Sequence, residues 1–198
     1  MSTDSGLVDN VDTKSNRKNS PARVLVVYAS QFGSTGGVAE RVSSQLVANG
    51  HQVDVKQVDH VESLDGYDAI IIGGAIQYDR WMTPARKFVE IYKTQLAKIP
   101  CACFFVCLTL SRTDEKSLAQ AQGYAQKIAA LFPANPLSVQ GFAGVLDYSK
   151  MSFATRIFAK TLMAIIGVKE GDYRNWPAVD GWSNTMASVL LEKNIRQK

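Results

Sequence analysis

From Arg23 onward the chain alternates short apolar runs with stretches whose apolar residues recur every three or four positions. Residues 24–29, 68–74, 102–109 and 137–145 are nearly continuous in Val, Ile, Leu, Phe or Cys, as strands are when both faces of a parallel sheet are covered. Residues 52–58 carry their valines more sparsely, at Val53, Val55 and Val58, which fits an edge strand. Between the runs lie amphipathic stripes. Val38, Val42 and Leu46 make the first, ended by Gly50 at a C′ position. Ala85, Phe88, Val89, Tyr92 and Leu96 make the second, with Thr83 as the expected N-cap and Pro84 at N1. Leu118, Ala121, Ala125, Ile128 and Phe132 make the third, stopped by Pro133. A last helix, from about Gly181, carries Trp182, Met186, Val189 and Leu190. Residues 1–22 are polar, with too few large apolar side chains to repay ordering, and read as a disordered tail.

Strand–helix alternation repeated in this way predicts one α/β domain over residues 23–198: a doubly wound parallel sheet with helices on both faces and right-handed crossovers. A helical insertion follows the fifth strand, over residues 148–178. Open sheets of this kind bind ligands just beyond the carboxyl ends of their strands, where the strand order reverses. The loops after the first, third and fourth strands are therefore where chemistry is expected.

Charge narrows the partners only slightly. A net charge of +4 admits an anionic ligand, an acidic substrate or an anionic membrane surface. It falls short of a nucleic-acid footprint, so no nucleic-acid partner is expected. Cys101, Cys103 and Cys107 share one apolar run. Their spacing is not C-x-x-C, no histidine cluster accompanies them, and period two sets all three on one strand face. They read as small buried hydrophobes of a reducing compartment rather than as a metal site. The first residues lack the apolar core of a signal peptide, and no run approaches the ~18 residues needed to span a bilayer. A cytoplasmic location is expected, with contact at the inner face of the membrane left open. His51 and His60 have no partner cluster and are expected at the surface.

The loop after the first strand runs Ser30-Gln-Phe-Gly-Ser-Thr-Gly-Gly37 and leads straight into a helix. Free N–H groups and the positive dipole end of a helix attract an anion there, and Ser30, Ser34 and Thr35 add hydroxyls. Gly33 lets the backbone curl close to its ligand. The loop is neither a Walker A sequence nor a G-x-G-x-x-G turn, and its neutral donors suit a terminal monophosphate. An ordinary capped turn is the alternative. The third strand ends Ile72-Gly-Gly-Ala-Ile-Gln-Tyr78, where Gly73 and Gly74 are expected to admit a planar ligand. Ala75, Ile76 and Gln77 offer backbone groups, and Tyr78 and Trp81 offer rings for stacking, unless they pack against the next helix. Leu108, Thr109, Leu110 and Ser111 form a third wall. A phospho-receiver domain shares the general topology, but it needs an aspartate where this chain has Gly73.

These segments resemble the flavodoxin family over most of residues 23–193, and its menaquinone-dependent protoporphyrinogen dehydrogenase branch above all. The loop Ser30–Thr35, the stretch Ile72–Tyr78, and Gly141-Phe-Ala-Gly-Val-Leu-Asp-Tyr148 with Val179-Asp-Gly-Trp182 carry the resemblance. It implies a flavodoxin-like sheet of order 2-1-3-4-5 and FMN as cofactor. The phosphate would lie at Ser30, Gln31, Phe32, Gly33, Ser34 and Thr35, and the ring against Ala75, Ile76, Gln77, Tyr78, Trp81, Leu108, Thr109, Leu110 and Ser111. It implies an oxidoreductase passing electrons from a reduced small molecule, with protoporphyrinogen IX a candidate, through flavin to a quinone or other acceptor. No acid–base triad is expected, because the cofactor does the chemistry. The chain departs from the branch at Gln77, where a basic residue is expected, and at Asp147 and Ser149, where a basic residue and a proline are. That leaves the tetrapyrrole substrate open. An electron carrier without a small-molecule substrate is the main rival, although carriers usually meet partners through an acidic face. A flavin-free interaction domain on the same scaffold is a third reading.

Residues 148–168 hold Lys150, Arg156 and Lys160 and no acidic residue. Ser152, Arg156 and Lys160 fall on one helical stripe, with Ala154, Ile157, Phe158, Leu162 and Ile165 supplying apolar surface. A helix over 150–168 can lie on an anionic membrane and reach a lipid-soluble quinone. It can equally pack on the domain or on a second copy in a homo-oligomer.

Overall fold

The computed structural model describes residues 21–150, 153, 156–157 and 168–196. Five strands form the expected parallel sheet: β1 (Arg23–Ala29), β2 (Gln52–Gln57), β3 (Ala69–Gln77), β5 (Cys101–Cys107) and β6 (Val139–Ala143). Their order is β2-β1-β3-β5-β6, which is 2-1-3-4-5 once the two-residue strand β4 (Arg80–Trp81), antiparallel to β3, is set aside. The helices are α1 (Ser34–Ala48), α2 (Thr83–Ile91), α3 (Lys93–Leu96), α4 (Glu115–Ala129) and α5 (Trp176–Arg196).

The sheet is covered on both faces because its central strands are apolar over nearly their whole length, Arg23 at the start of β1 and Gln77 at the end of β3 being the polar ends. One face sends Leu25, Val27, Ile70, Ile72, Cys103 and Phe105 against Ala85, Phe88, Ala121 and Ile128 of α2 and α4. The other sends Val24, Val26, Ile71, Phe104 and Val106 against Val38, Val42 and Leu46 of α1 and Trp182, Met186 and Leu190 of α5. Period two sorts the residues cleanly. The three cysteines fall on the first face, buried and unpaired.

Several expectations need correction. Thr83 is the first helical residue of α2, not its cap; Met82 precedes the helix, its N–H donating to the Ala75 carbonyl at 3.0 Å. Leu118 is exposed, and Ser117, Ala121, Tyr124 and Ile128 form the inner face of α4. The last helix starts at Trp176, where the Asn175 side chain accepts the Ala178 N–H at 3.1 Å, an Asn cap followed by Pro177 that the apolar stripe did not reveal. His51 is buried rather than at the surface. It accepts the Ala22 N–H at Nδ1 (3.2 Å) and, at 3.1 Å, donates from Nε2 to the Ala187 carbonyl, tying β1 to α5.

After β6, β7 (Val145–Leu146) pairs antiparallel with β8 (Gly171–Asp172), so the two ends of the insertion are held side by side. Of the expected insertion helix, Phe153, Arg156 and Ile157 are helical, with Phe153 78% and Ile157 53% exposed. The rest of that stripe, and the tail over residues 1–20, lie outside the described residues. No helix among the described residues is long and apolar enough to cross a membrane.

Candidate functional site

The carboxyl ends of β1, β3 and β5 border a cleft of about 800 Å³. Gln31 and Phe32 line it from the β1–α1 loop, Ile76, Gln77, Tyr78 and Asp79 from the β3–β4 hairpin, and Cys107, Leu108, Thr109 and Arg112 from the end of β5. The start of α4 closes the remaining side with Asp114, Ser117, Gln120 and Tyr124.

The β1–α1 loop is shaped by Gly33, whose φ of 90° is left-handed and caps α1. Ser30 Oγ accepts the Gly33 N–H at 3.0 Å and locks the turn. The first-turn N–H groups of α1 have no intrahelical acceptor, which makes this turn an anion seat. Ser34 Oγ sits next to Gly144, 3.8 Å from where a Cβ there would stand. Thr35 is buried at 1% exposure, so it supports the turn from behind rather than lining the cleft. The loop contains no cation, but the fold brings one to it from far along the chain. The Arg174 guanidinium packs against Gly37, where a Cβ would lie 2.7 Å from its Nη1. Asp172 grips that guanidinium, with Oδ1 accepting from Nε at 2.9 Å, and Trp176 lies under it at 4.5 Å.

At the β3–β4 hairpin, Tyr78 (φ 48°) and Asp79 (φ 58°) both take positive φ, as a two-residue type I′ turn requires. Neither is glycine, and such backbone is held only where its surroundings impose it. The turn leaves the Tyr78 ring 92% exposed at the cleft. Gln77 Nε2 donates to Gln31 Oε1, joining the hairpin to the β1–α1 loop. Asp79 accepts from the Tyr124 hydroxyl and from Gln120 Nε2 at 3.3 Å. Burial, with Asp79 adding to it, pushes the Tyr124 phenol up to about 12. Across the cleft, Asp114 caps α4, accepting the Ser117 hydroxyl at 2.8 Å and its N–H at 3.0 Å. Those bonds, with Arg112 nearby, hold its carboxyl below the usual range. Burial pushes the Cys101 thiol up to about 12 and raises Cys103 and Cys107 as well, so none is an activated nucleophile.

The expected site residues therefore divide. Gln31, Phe32, Ile76, Gln77, Tyr78, Leu108 and Thr109 meet at the cleft. Ser30, Gly33 and Ser34 build the anion turn beside it. Ala75 and Leu110 pack partly buried against the core, and Ser111 Oγ donates to the Leu108 carbonyl at 2.7 Å, closing the turn after β5. Trp81 is not a cleft wall. It is 3% exposed, 6.3 Å from the Phe132 ring, and its indole fills the space over Gly74. Gly73 likewise makes room for Phe104, whose Cζ would stand 2.1 Å from a Cβ there. Both glycines admit core rings, not a ligand. Gln120, Tyr124 and Arg174 were missed because they reach the site only through the fold, and Asp79, beside Tyr78 in the sequence, was missed because its partners Tyr124 and Gln120 lie on α4.

Residues 25–172 match a family model described as a flavodoxin domain. A protein named protoporphyrinogen IX dehydrogenase [quinone] from Escherichia coli (strain K12) is 28% identical over 181 residues, covering 88% of this chain and 99% of that one. A protein of the same name from Leishmania major is 26% identical over 185 residues, covering 89% and 79%. Oxidised Flavodoxin 2 from Bacillus cereus superposes with a TM-score of 0.52 at 19% identity, covering 87% of this chain and 99% of that one.

Proposed function

The chain belongs to the flavodoxin-domain family, and on that premise we propose that it is an FMN-dependent oxidoreductase taking electrons from a reduced small molecule and delivering them to a quinone. The observation that carries this reading is the cleft itself. It lies where a doubly wound sheet takes its ligand, between an anion seat at α1 and an exposed ring held out by a strained turn.

The residues present fit FMN. The turn at Ser30–Thr35 and the first N–H groups of α1 would hold the phosphate, with the Arg174–Asp172 ion pair close by. Tyr78, Gln77 and Ile76 on one side, and Leu108 and Thr109 on the other, would hold the ring. Bound FMN supplies the one- and two-electron transfer that the side chains do not. The chain's own part is to bind, to orient, and to keep titrating groups quiet. Tyr124 holds its proton well above neutrality, and Asp114 is ionised and committed to its cap.

Likeness to the relatives named protoporphyrinogen IX dehydrogenase [quinone] supports protoporphyrinogen IX as the reduced substrate. Residues 150–168 are assigned to the acceptor side, against an anionic membrane surface at the inner face where a lipid-soluble quinone resides. Their basic and apolar composition supports this, as does the exposure of Phe153 and Ile157. The test begins with colour: the purified protein should be yellow and release FMN on denaturation. A colourless protein that also refuses added FMN ends the reading. Given flavin, porphyrin fluorescence should rise when protoporphyrinogen IX and menadione are supplied. Flavin without turnover on any small donor would leave an electron carrier instead.

A further inference from the structure

Next to the cleft, and sharing Asp79 and Tyr124 with it, is a second pocket of about 140 Å³. Its walls are apolar at Trp81, Ile128 and Leu131, yet Arg80, Arg86 and Lys127 also line it. Three cations thus face one carboxylate, and that carboxylate is already bonded to Tyr124 and Gln120. Among the described residues none of the three cations forms an ion pair. Arg86 spends Nη2 on Thr83 Oγ1 at 3.2 Å, while its Nε is buried with no hydrogen-bond partner. The Trp81 indole N–H, in the same wall, is buried and unpartnered too.

Leaving a charged donor buried and unpaired costs several times what an exposed one does. A guanidinium next to apolar surface, with an ammonium facing the same space, becomes favourable when a planar anion completes it. A carboxylate matches the guanidinium fork, and its stem matches the apolar wall. The volume is well below that of pockets that enclose whole ligands, so it suits one arm of a molecule whose body lies elsewhere.

We infer that this pocket binds a carboxylate carried on a short apolar stem and takes one acidic arm of the substrate; the latter half rests on the function proposed above. It also supplies the cations whose absence at Gln77 and Asp147 was noted in the sequence, from a different part of the fold.

Calorimetric titration of the purified protein with 3-phenylpropionate tests this, with 3-phenylpropanamide as its neutral isostere and acetate as the stemless acid. The expected result is one saturable site for 3-phenylpropionate, with the amide and acetate each about tenfold weaker or more. Arg86→Gln and Lys127→Gln should each weaken it by about tenfold. Amide binding as tight as the acid overturns the inference on the native protein alone, whatever the variants do. So does undiminished binding in folded Arg86→Gln. The flavin absorbance of the same sample separates the two readings. A colourless protein that binds the acid keeps the pocket and defeats the redox function, whereas a yellow one that does not bind it defeats the pocket only.

Discussion

Tyr78 is where backbone cost and ligand contact meet. Its φ of 48° is expensive for a side chain with a Cβ and free for glycine. Tyr78→Gly should therefore separate the two roles: FMN affinity falls about 3- to 10-fold, the worth of one aromatic stacking contact, while urea stability does not fall. Flavin fluorescence titration and urea unfolding read these independently. Tyr124 offers a pH test. Its folded-state value is raised to about 12, against roughly 10 for an unfolded tyrosine. The folded state thus keeps a proton that the unfolded chain releases, so this contribution is whole below pH 10 and is lost as pH climbs from 10 towards 12. Urea midpoints should fall over that window in the native protein and fall less in Tyr124→Phe. At this scale the sequence was only half legible. Trp81 and Tyr78 are both aromatics just past a strand end. What makes one core and the other exposed is the bare Gly74 backbone beneath the Trp81 indole, a pairing visible only in three dimensions. His51 was misread for the same reason, because its partners at Ala22 and Ala187 lie far along the chain.

At the scale of elements, legibility followed apolar continuity. The strands β1, β3 and β5 were readable because a strand covered on both faces is apolar nearly throughout, whereas the strand order rested on the family resemblance. The end of β3 was not readable, because Gln77-Tyr-Asp-Arg80 is polar and reads as loop although it folds back as a hairpin. The ribbon β7–β8 is two residues long on each side, too short to show any period. Of the two glycines in β3, Gly74 lies beneath the Trp81 indole of the β3–β4 hairpin, and Gly73 makes room for Phe104 on the other face of the sheet. Gly73→Ala would set a Cβ 2.1 Å from Phe104 Cζ, and overpacking of this kind costs about 1–3 kcal/mol. Urea unfolding should show that loss, and adding Phe104→Leu should recover part of it. Full stability in Gly73→Ala would mean that Phe104 is free to move, against its packing with Phe142 and Trp182.

For the molecule as a whole, the question is what residues 150–168 add to a protein whose five-stranded parallel sheet and covering helices lie outside them. The β7–β8 ribbon pairs Leu146 with Gly171, and the Tyr148 N–H donates to Glu170 at 2.9 Å. The two ends therefore stand together independently of what lies between, and a short linker can replace residues 151–167 without pulling on the sheet. The cleft wall at Val168 is kept in such a deletion. If the segment only packs on the protein, its loss should lower stability and slow turnover with every acceptor alike. If it meets a membrane-dissolved acceptor, the shortened protein should keep its FMN and its turnover with water-soluble menadione. It should lose most of its turnover with a long-chain quinone in anionic vesicles, and no longer sediment with those vesicles at low salt, where attraction between basic segments and anionic lipid is strongest. The proposed role requires the second pattern. Equal losses with both quinones would move the segment to the interior of the protein's own architecture and leave the site of acceptor contact at the cleft itself.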